Sequence, residues 1–225
     1  RESGGVFTSL ENFMQRVPIS VEQLRIMINI GAFRFTGKTK KELLWDIYAV
    51  LGHDKKTDVK QELFEKEKRD FKLPTLYTHR IYDAWDEIDI LGFPLCSPFE
   101  MLAPLPAPLS QVKESVTHID TAKDLKKHFK KEVTIMGYLV TYKSTRTKHG
   151  EPMMFGTFID KDGIFFDTTH FPKITAQYPL KWKGCYLIKG RVAGEFAFYS
   201  LDVSEAHFLQ PITREDVIQK EEVLT

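Results

Sequence analysis

Three permanent cations and a group of phenylalanines lie close together in this chain. They are the residue types that hold a polyanion carrying flat rings. Lys143, Arg146 and Lys148 fall in the connection Lys143-Ser-Thr-Arg-Thr-Lys-His-Gly150, and Phe155, Phe158, Phe165, Phe166 and Phe171 follow within two strand-like runs. Period-2 geometry sends successive side chains to opposite faces, so if one of Phe165 and Phe166 faces a core the other faces a groove. An exposed ring there stacks on a base for about 1–3 kcal/mol. His170 at the end of the second run, and Lys189 and Arg191 in a later one, supply further donors for phosphates. This is binding chemistry rather than bond-breaking chemistry. The chain has no GxSxG, Walker A or GxGxxG, its seven histidines show no HxxxH or HExxH spacing, and its carboxylates form no compact two-metal group. We therefore expect no catalytic residue, no metal ligand and no cofactor in this segment.

The elements that must position these residues read as a small barrel. Val133 to Tyr142 alternates apolar with smaller or polar residues, with Gly137 where a closing barrel needs a bend. Met153 to Ile159 is a second strand, Asp160-Lys-Asp-Gly163 a hairpin turn, and Ile164 to Phe171 a third strand. A turn-rich segment from Pro172 to Lys183 precedes a fourth strand, Cys185 to Val192, and a fifth, Phe196 to His207. Five strands in this arrangement predict an OB-fold barrel, a fold that binds oligonucleotides across its second and third strands and the adjoining loops.

The N-terminal part is helical. Thr8-Ser-Leu-Glu11, Ser20-Val-Glu-Gln23 and Thr39-Lys-Lys-Glu42 have capping-box spacing, each ahead of an apolar stripe. The third stripe, Leu43, Leu44, Ile47, Tyr48 and Leu51, runs to Gly52. From His53 to Leu73 charge dominates, and Thr78 to Leu91 regains helical spacing. Pro94, Pro98, Pro104, Pro106 and Pro108 then predict an extended crossing. Asp120 to Lys131 reads as a short basic helix with Leu125 and Phe129 inward. The expected class is α+β. A helical module spans 1–52, and a charged then proline-rich linker spans 53–112 with a helix at about 78–91. The OB-fold domain spans 113–210 and an acidic tail 211–225.

Net charge is +1 overall, but by segment it is +2 for 1–52, −3 for 53–112, +4 for 113–210 and −2 for the tail. The positive bias on the two folded segments suits a polyanionic partner. Cys96 and Cys185 lack CxxC spacing, which fits thiols in a reducing cytoplasm. No run reaches the roughly 18 apolar residues of a membrane span. The chain opens on Arg1-Glu-Ser-Gly-Gly5, without Met, and reads as an excerpt from a longer protein.

Taken together, these segments resemble the C-terminal region of the bacterial DNA polymerase III α subunit, the C-family replicative polymerase. Gly4-Gly-Val-Phe-Thr-Ser-Leu-Glu-Asn-Phe13, followed by Ile28-Asn-Ile-Gly-Ala-Phe33 and Gly37, resembles the second part of that family's tandem helix-hairpin-helix module. Glu87-Ile-Asp-Ile-Leu-Gly-Phe-Pro94 is similar to the motif ahead of its OB domain, with Cys96-Ser-Pro98 a shortened form. Thr147-Lys-His-Gly-Glu-Pro-Met153, Phe158-Ile-Asp160 and Phe171-Pro172 resemble its OB signature. The resemblance implies a helix-hairpin-helix-like module at 1–52 and an OB fold meeting single-stranded and primer–template DNA. It also implies a sliding-clamp motif at Lys60, Gln61, Leu63 and Phe64, where Lys60 stands in place of the family's Gln. Other replisome subunits would be partners, and the parent would use Mg for synthesis while this fragment would not. The competing readings are an OB module of another nucleic-acid protein, such as a tRNA anticodon-binding domain, and a purely subunit-docking barrel.

Overall fold

A computed structural model describes residues 5–54, 79–195 and 198–217. The chain divides into two compact units, one formed by Arg1–Leu95 with Val217–Thr225 and the other by Cys96–Asp216.

The first unit is helical. Helix α1 spans Leu10–Arg16 and is capped by Ser9, whose hydroxyl accepts from the Asn12 amide at 3.1 Å. The capping-box spacing had pointed to Thr8. Starting one residue later puts Leu10 and Phe13 on the same buried face. Helix α2, Val21–Asn29, has the expected reciprocal box between Ser20 and Gln23, and buries Leu24 and Ile28. A hairpin follows, with Gly31 and Gly37 at positive φ around the buried ring of Phe33. Helix α3 spans Lys40–Asp54, passing through Gly52 instead of stopping there. Leu43 and Ile47 of α3 are buried, whereas Tyr48, expected inward, is exposed, because it lies about 100° around the helix from Ile47. Helix α4, Arg80–Leu91, begins at His79 and ends at Gly92, whose φ of 81° provides the left-handed cap. The buried carboxylate of Glu87 binds this unit together. It accepts from Arg34 of the hairpin at 2.9 Å and from the Leu95 amide at 2.8 Å, with Lys40 of α3 at 3.6 Å.

In the second unit the proline-rich segment is not the extended crossing its prolines predicted. Pro98–Met101 forms a 3₁₀ turn with a Ser97–Glu100 capping box, and Ala107–Glu114 forms helix α5 with Pro108 in its first turn. Proline is tolerated there because first-turn amides have no intrahelical acceptor. Phe99, Leu102, Leu105, Leu109 and Val112 of this segment cover one outer wall of the barrel, over Cys185, Leu187 and Met136.

A short strand β1, Thr117–His118, pairs parallel with β2, Glu132–Arg146. Strands β3 (Pro152–Ile159), β4 (Phe165–His170), β5 (Cys185–Glu195) and β6 (Phe198–Phe208) complete the sheet. The order is β1-β2-β3-β4-β6-β5, and β2 also pairs with β5. The five long strands therefore close into the OB-fold barrel. Closure requires β2 to serve two neighbours. Its first half pairs with β5 and its second with β3, and Tyr138 belongs to both ladders. Gly137 stands at that handover, where an added Cβ would lie 2.7 Å from Cζ of Phe166 and 3.0 Å from Cβ of Phe158.

The barrel core holds Val133, Ile135, Phe158, Phe166, Ile188 and Leu201 among others, with Phe158 and Phe166 stacked at 5.7 Å. A 3₁₀ stretch, Ala122–His128, buries Leu125. Phe129, expected to face inward with it, is instead half exposed against Tyr199. Between β4 and β5 the segment expected to be only turns contains helix α6, Pro172–Gln177, with Pro172 again at a helix start. Asp160 locks the β3–β4 hairpin to the 3₁₀ stretch. Its buried carboxylate accepts from the Asp162 and Ile164 amides at 2.9 and 2.8 Å, from the Ala122 amide at 2.7 Å and from the Thr121 hydroxyl at 3.0 Å. Among the described residues no helix is long and apolar enough to cross a membrane.

Candidate nucleic-acid interface

Alternation along β3 and β4 sorts their side chains cleanly. Phe158, Gly156, Phe166, Thr168 and His170 are buried inside the barrel, and Phe155, Thr157, Ile159, Phe165, Asp167 and Thr169 stand on the outer wall. Cross-strand register arranges the outer residues in rows. Lys143, Phe155, Thr169 and Asp202 form one row. Thr141, Thr157, Asp167 and Ser200 form the next, and Ile159 pairs with Phe165 in the third. Extending the parallel β4–β6 register by two residues puts Phe198 beside Phe165. Three rings on this wall face solvent, with Phe155 45%, Phe165 61% and Phe198 59% exposed. Phe155 and Phe165 are separated by four residues of strand, about 13 Å.

The strand β2 runs on to Arg146, so the connection is shorter than its sequence suggested. Thr147 and Gly150 close a tight turn, with the Gly150 amide donating to the Thr147 carbonyl at 2.9 Å. This moves Lys143 and Arg146 from a loop onto a strand, where three residues of separation place them on opposite faces. Lys143 shares the outer wall with Phe155, in direct register. Arg146 braces the turn instead, its guanidinium donating to the Gly150 carbonyl at 2.7 Å. Lys148 is exposed at the tip of the turn. Among the described residues neither Lys143 nor Lys148 joins an ion pair.

Four of the sequence-derived contact residues lie elsewhere. Phe166, 2% exposed, is a core ring packed on Gly137 and Phe158, so it has no free face for a base. His170, 0% exposed, points into the barrel. The Thr168 hydroxyl donates to the Gly156 carbonyl and so accepts from Nε2–H of His170 at 3.0 Å, while Nδ1 of His170 has no hydrogen-bond partner among the described residues. Burial lowers this imidazole to about 4, which keeps it neutral at ordinary pH and unsuited to a phosphate. Lys189 and Arg191 sit on β5, separated from the β3–β4 wall by β2 on one side and β6 on the other. Lys189 is paired with Glu205 at 3.4 Å, and Arg191 donates to the Lys130 carbonyl at 3.1 Å. Lys60, Gln61, Leu63 and Phe64 lie outside the described residues.

Two residues of the wall escaped the sequence reading. Asp167 was masked by its setting in a polar run, and Phe198 stands near the β5–β6 connection, where strand parity could not be counted across the turn. The period-2 signal of β4 does put Asp167 on the face of Phe165, and this was its one available signal.

In the helical unit the hairpin's cations are already committed. Arg34 and Lys40 meet Glu87, and Lys38 meets Asp46 at 2.7 Å. The N-terminus of α3 is occupied by Glu42, whose carboxylate accepts from the Thr39 amide at 2.7 Å.

Residues 1–43 match a family described as a helix-hairpin-helix motif, a stretch that ends four residues into α3. Two solved structures are similar to part of the chain. One is a candidate nucleic acid-binding lipoprotein from Klebsiella pneumoniae subsp. pneumoniae MGH 78578, 15% identical, covering 46% of this chain and 100% of its own, with a TM-score of 0.34. The other is the mitochondrial single-stranded DNA-binding protein of S. cerevisiae, 15% identical, covering 36% and 94%, with a TM-score of 0.29. No curated protein matches the chain.

Proposed function

We propose that this chain is a nucleic-acid-binding module whose OB barrel takes a single strand along the outer wall of β3 and β4. Bases stack on Phe155 and Phe165, and phosphates pass Lys143 and Lys148 at the wall's edge. One observation carries the reading: the β2–β5 wall of the barrel is covered by the 98–112 segment, while the β3–β4 wall keeps its phenylalanines exposed beside lysines that join no ion pair among the described residues. Apolar rings left uncovered next to cations suit a ligand with aromatic faces and negative charge. Fluorescence anisotropy of a labelled single-stranded 12-mer tests it. Phe155→Ala and Phe165→Ala should each weaken binding by about 1–3 kcal/mol. The same substitution at Trp45, an exposed ring in the helical unit, should change nothing. Absence of binding at low salt by the folded chain would overturn the reading in favour of a docking barrel.

A finer reading follows from the order of motifs set out above and is supported by the helix-hairpin-helix match over residues 1–43. In it the chain is the C-terminal region of a C-family replicative polymerase, meeting primer–template DNA, the sliding clamp through Leu63 and Phe64, and other replisome subunits. A peptide covering 57–68 titrated against the clamp, with Leu63→Ala/Phe64→Ala as control, tests the clamp contact. Equal signals from the two peptides would reject it.

A further inference from the structure

The proposed strand-binding wall carries a carboxylate at its middle, where a surface built only to attract phosphates would avoid one. Asp167 lies in the row between Phe155 and Phe165, flanked by Thr157 on β3 and Ser200 on β6. The Thr157 hydroxyl donates to Oδ1 of Asp167 at 2.7 Å, which fixes the side chain across the wall. Oδ2 makes no hydrogen bond or ion pair among the described residues. Asp202, one row along on β6, adds a second negative charge, and burial raises its carboxyl above the usual range. Three consequences follow. A phosphate cannot cross the centre of the wall without meeting Asp167, so the strand's backbone runs along the Lys143 and Lys148 edge with its bases turned inward. About 13 Å between the Phe155 and Phe165 positions leaves room for a base between them, its edge against Asp167. A carboxylate there accepts hydrogen bonds and donates none, and the Thr157 hydroxyl, its proton committed to Oδ1, is likewise left as an acceptor.

Resting on the single-strand reading above, we infer that Asp167 is a specificity-determining residue. It favours bases that present an amino group on the Watson–Crick edge (cytosine, adenine and guanine) over thymine and uracil. Cytosine offers its N4 amino group at the corner of the edge where thymine has the O4 acceptor, and the one donor of the thymine edge, N3–H, lies between two carbonyl oxygens that a carboxylate repels. The two pyrimidines have similar ring sizes for stacking and differ in the edge and in the C5 methyl of thymine, and dU12, which lacks the methyl, isolates the edge.

Binding of the full chain to labelled dC12 and dT12, in the same buffer and salt, tests this directly. The native chain should bind dC12 about tenfold more tightly than dT12. Asp167→Asn offers both a donor and an acceptor, so it should bring the two affinities to within about twofold, whatever it does to both together. Thr157→Val, which frees the carboxylate without removing it, should give an intermediate ratio and serves if the Asn variant does not fold. Equal affinities in the native chain would overturn the inference while leaving strand binding intact, as would a ratio unchanged in folded Asp167→Asn. Failure to bind either oligomer would overturn this inference and the single-strand reading together.

Discussion

In the helical unit the cations of the hairpin answer to carboxylates of the same unit: Arg34 and Lys40 to Glu87, Lys38 to Asp46. In the barrel Lys143 and Lys148 have no such partner among the described residues, and the buried carboxylate Asp160 takes its four hydrogen bonds from backbone amides and a hydroxyl. The two units carry similar residue types and use them differently. Charge in the hairpin is spent on holding the fold, and the N-terminus of α3 is already filled by Glu42. Charge at Lys143 and Lys148 on the barrel's edge is left exposed to solvent. A count of lysines and arginines per segment does not separate these cases, because pairing is a property of the folded surface.

The sharpest test of this contrast removes the two buried carboxylates in turn. Asp160→Ala strands several buried donors in the barrel and should cost about 4 kcal/mol, and Glu87→Ala takes the acceptor from Arg34 and the Leu95 amide, leaves Lys40 only Asp83 among the described residues, and should cost about 3 kcal/mol. Urea unfolding of single-tryptophan variants, reporting at Trp182 for the barrel and at Trp85 for the helical unit, should show each loss in its own unit. A shift of both reporters by either substitution would mean that the units do not stand apart energetically.

Acid should distinguish the units next. Buried His170 has its folded value near 4 against 6.5 for a free imidazole. Between those limits the unfolded chain binds a proton that the folded barrel does not, so stability falls as pH drops from about 6.5 to 4. The loss attributable to His170 is about 3 kcal/mol across that window. Denaturant midpoints of the barrel at pH 7 and pH 4 should therefore differ less in His170→Gln than in the native chain. An identical pH dependence in the two would show that the imidazole is not held neutral.

Within the barrel, two glycines make a smaller test. Gly137→Ala would bring a methyl into the ring of Phe166 and should cost about 2 kcal/mol. Gly163→Ala meets nothing within 4 Å but holds φ at +79°, and should cost about 1 kcal/mol from backbone strain alone. Thermal or urea unfolding compares them, and the reverse ranking would mean that the core yields around position 137.

The subtlest effect is on salt dependence. Lys143→Ala/Lys148→Ala should flatten the slope of log affinity for a single strand against log salt by about 1.4, one counterion contribution of about 0.7 for each cation removed. Lys38→Ala, which removes a cation already paired with Asp46, should leave that slope unchanged. If the two variants behave alike, the contrast between spent and available charge is wrong.

Much of this molecule was legible before folding. Ser20-Val-Glu-Gln23 and Thr39-Lys-Lys-Glu42 announce helix starts because a cap is a local bargain between a side chain and amides three residues away. The five strands of the barrel, and the Asp-Gly turn joining β3 to β4, follow from period-2 alternation and the positive φ at Gly163. The prolines at 98, 108 and 172 misled for a related reason: proline excludes the interior of a helix but not its first turn, and only packing shows which of these a position occupies. Alternation also stated that Phe165 and Phe166 point opposite ways, yet nothing local says which way is in. That was decided by Phe158 and the empty Cβ position of Gly137, which leave space for one ring and place the other outside. Likewise the sequence lists Lys143, Arg146, Lys148, Lys189 and Arg191 as equals. Barrel closure puts the last two around the circumference, and the tight turn at Thr147–Gly150 takes Arg146 for itself. Local chemistry determined the elements and their phases; which residues share a wall, and which charges remain unpaired on it, depended on contacts between strands far apart in the chain.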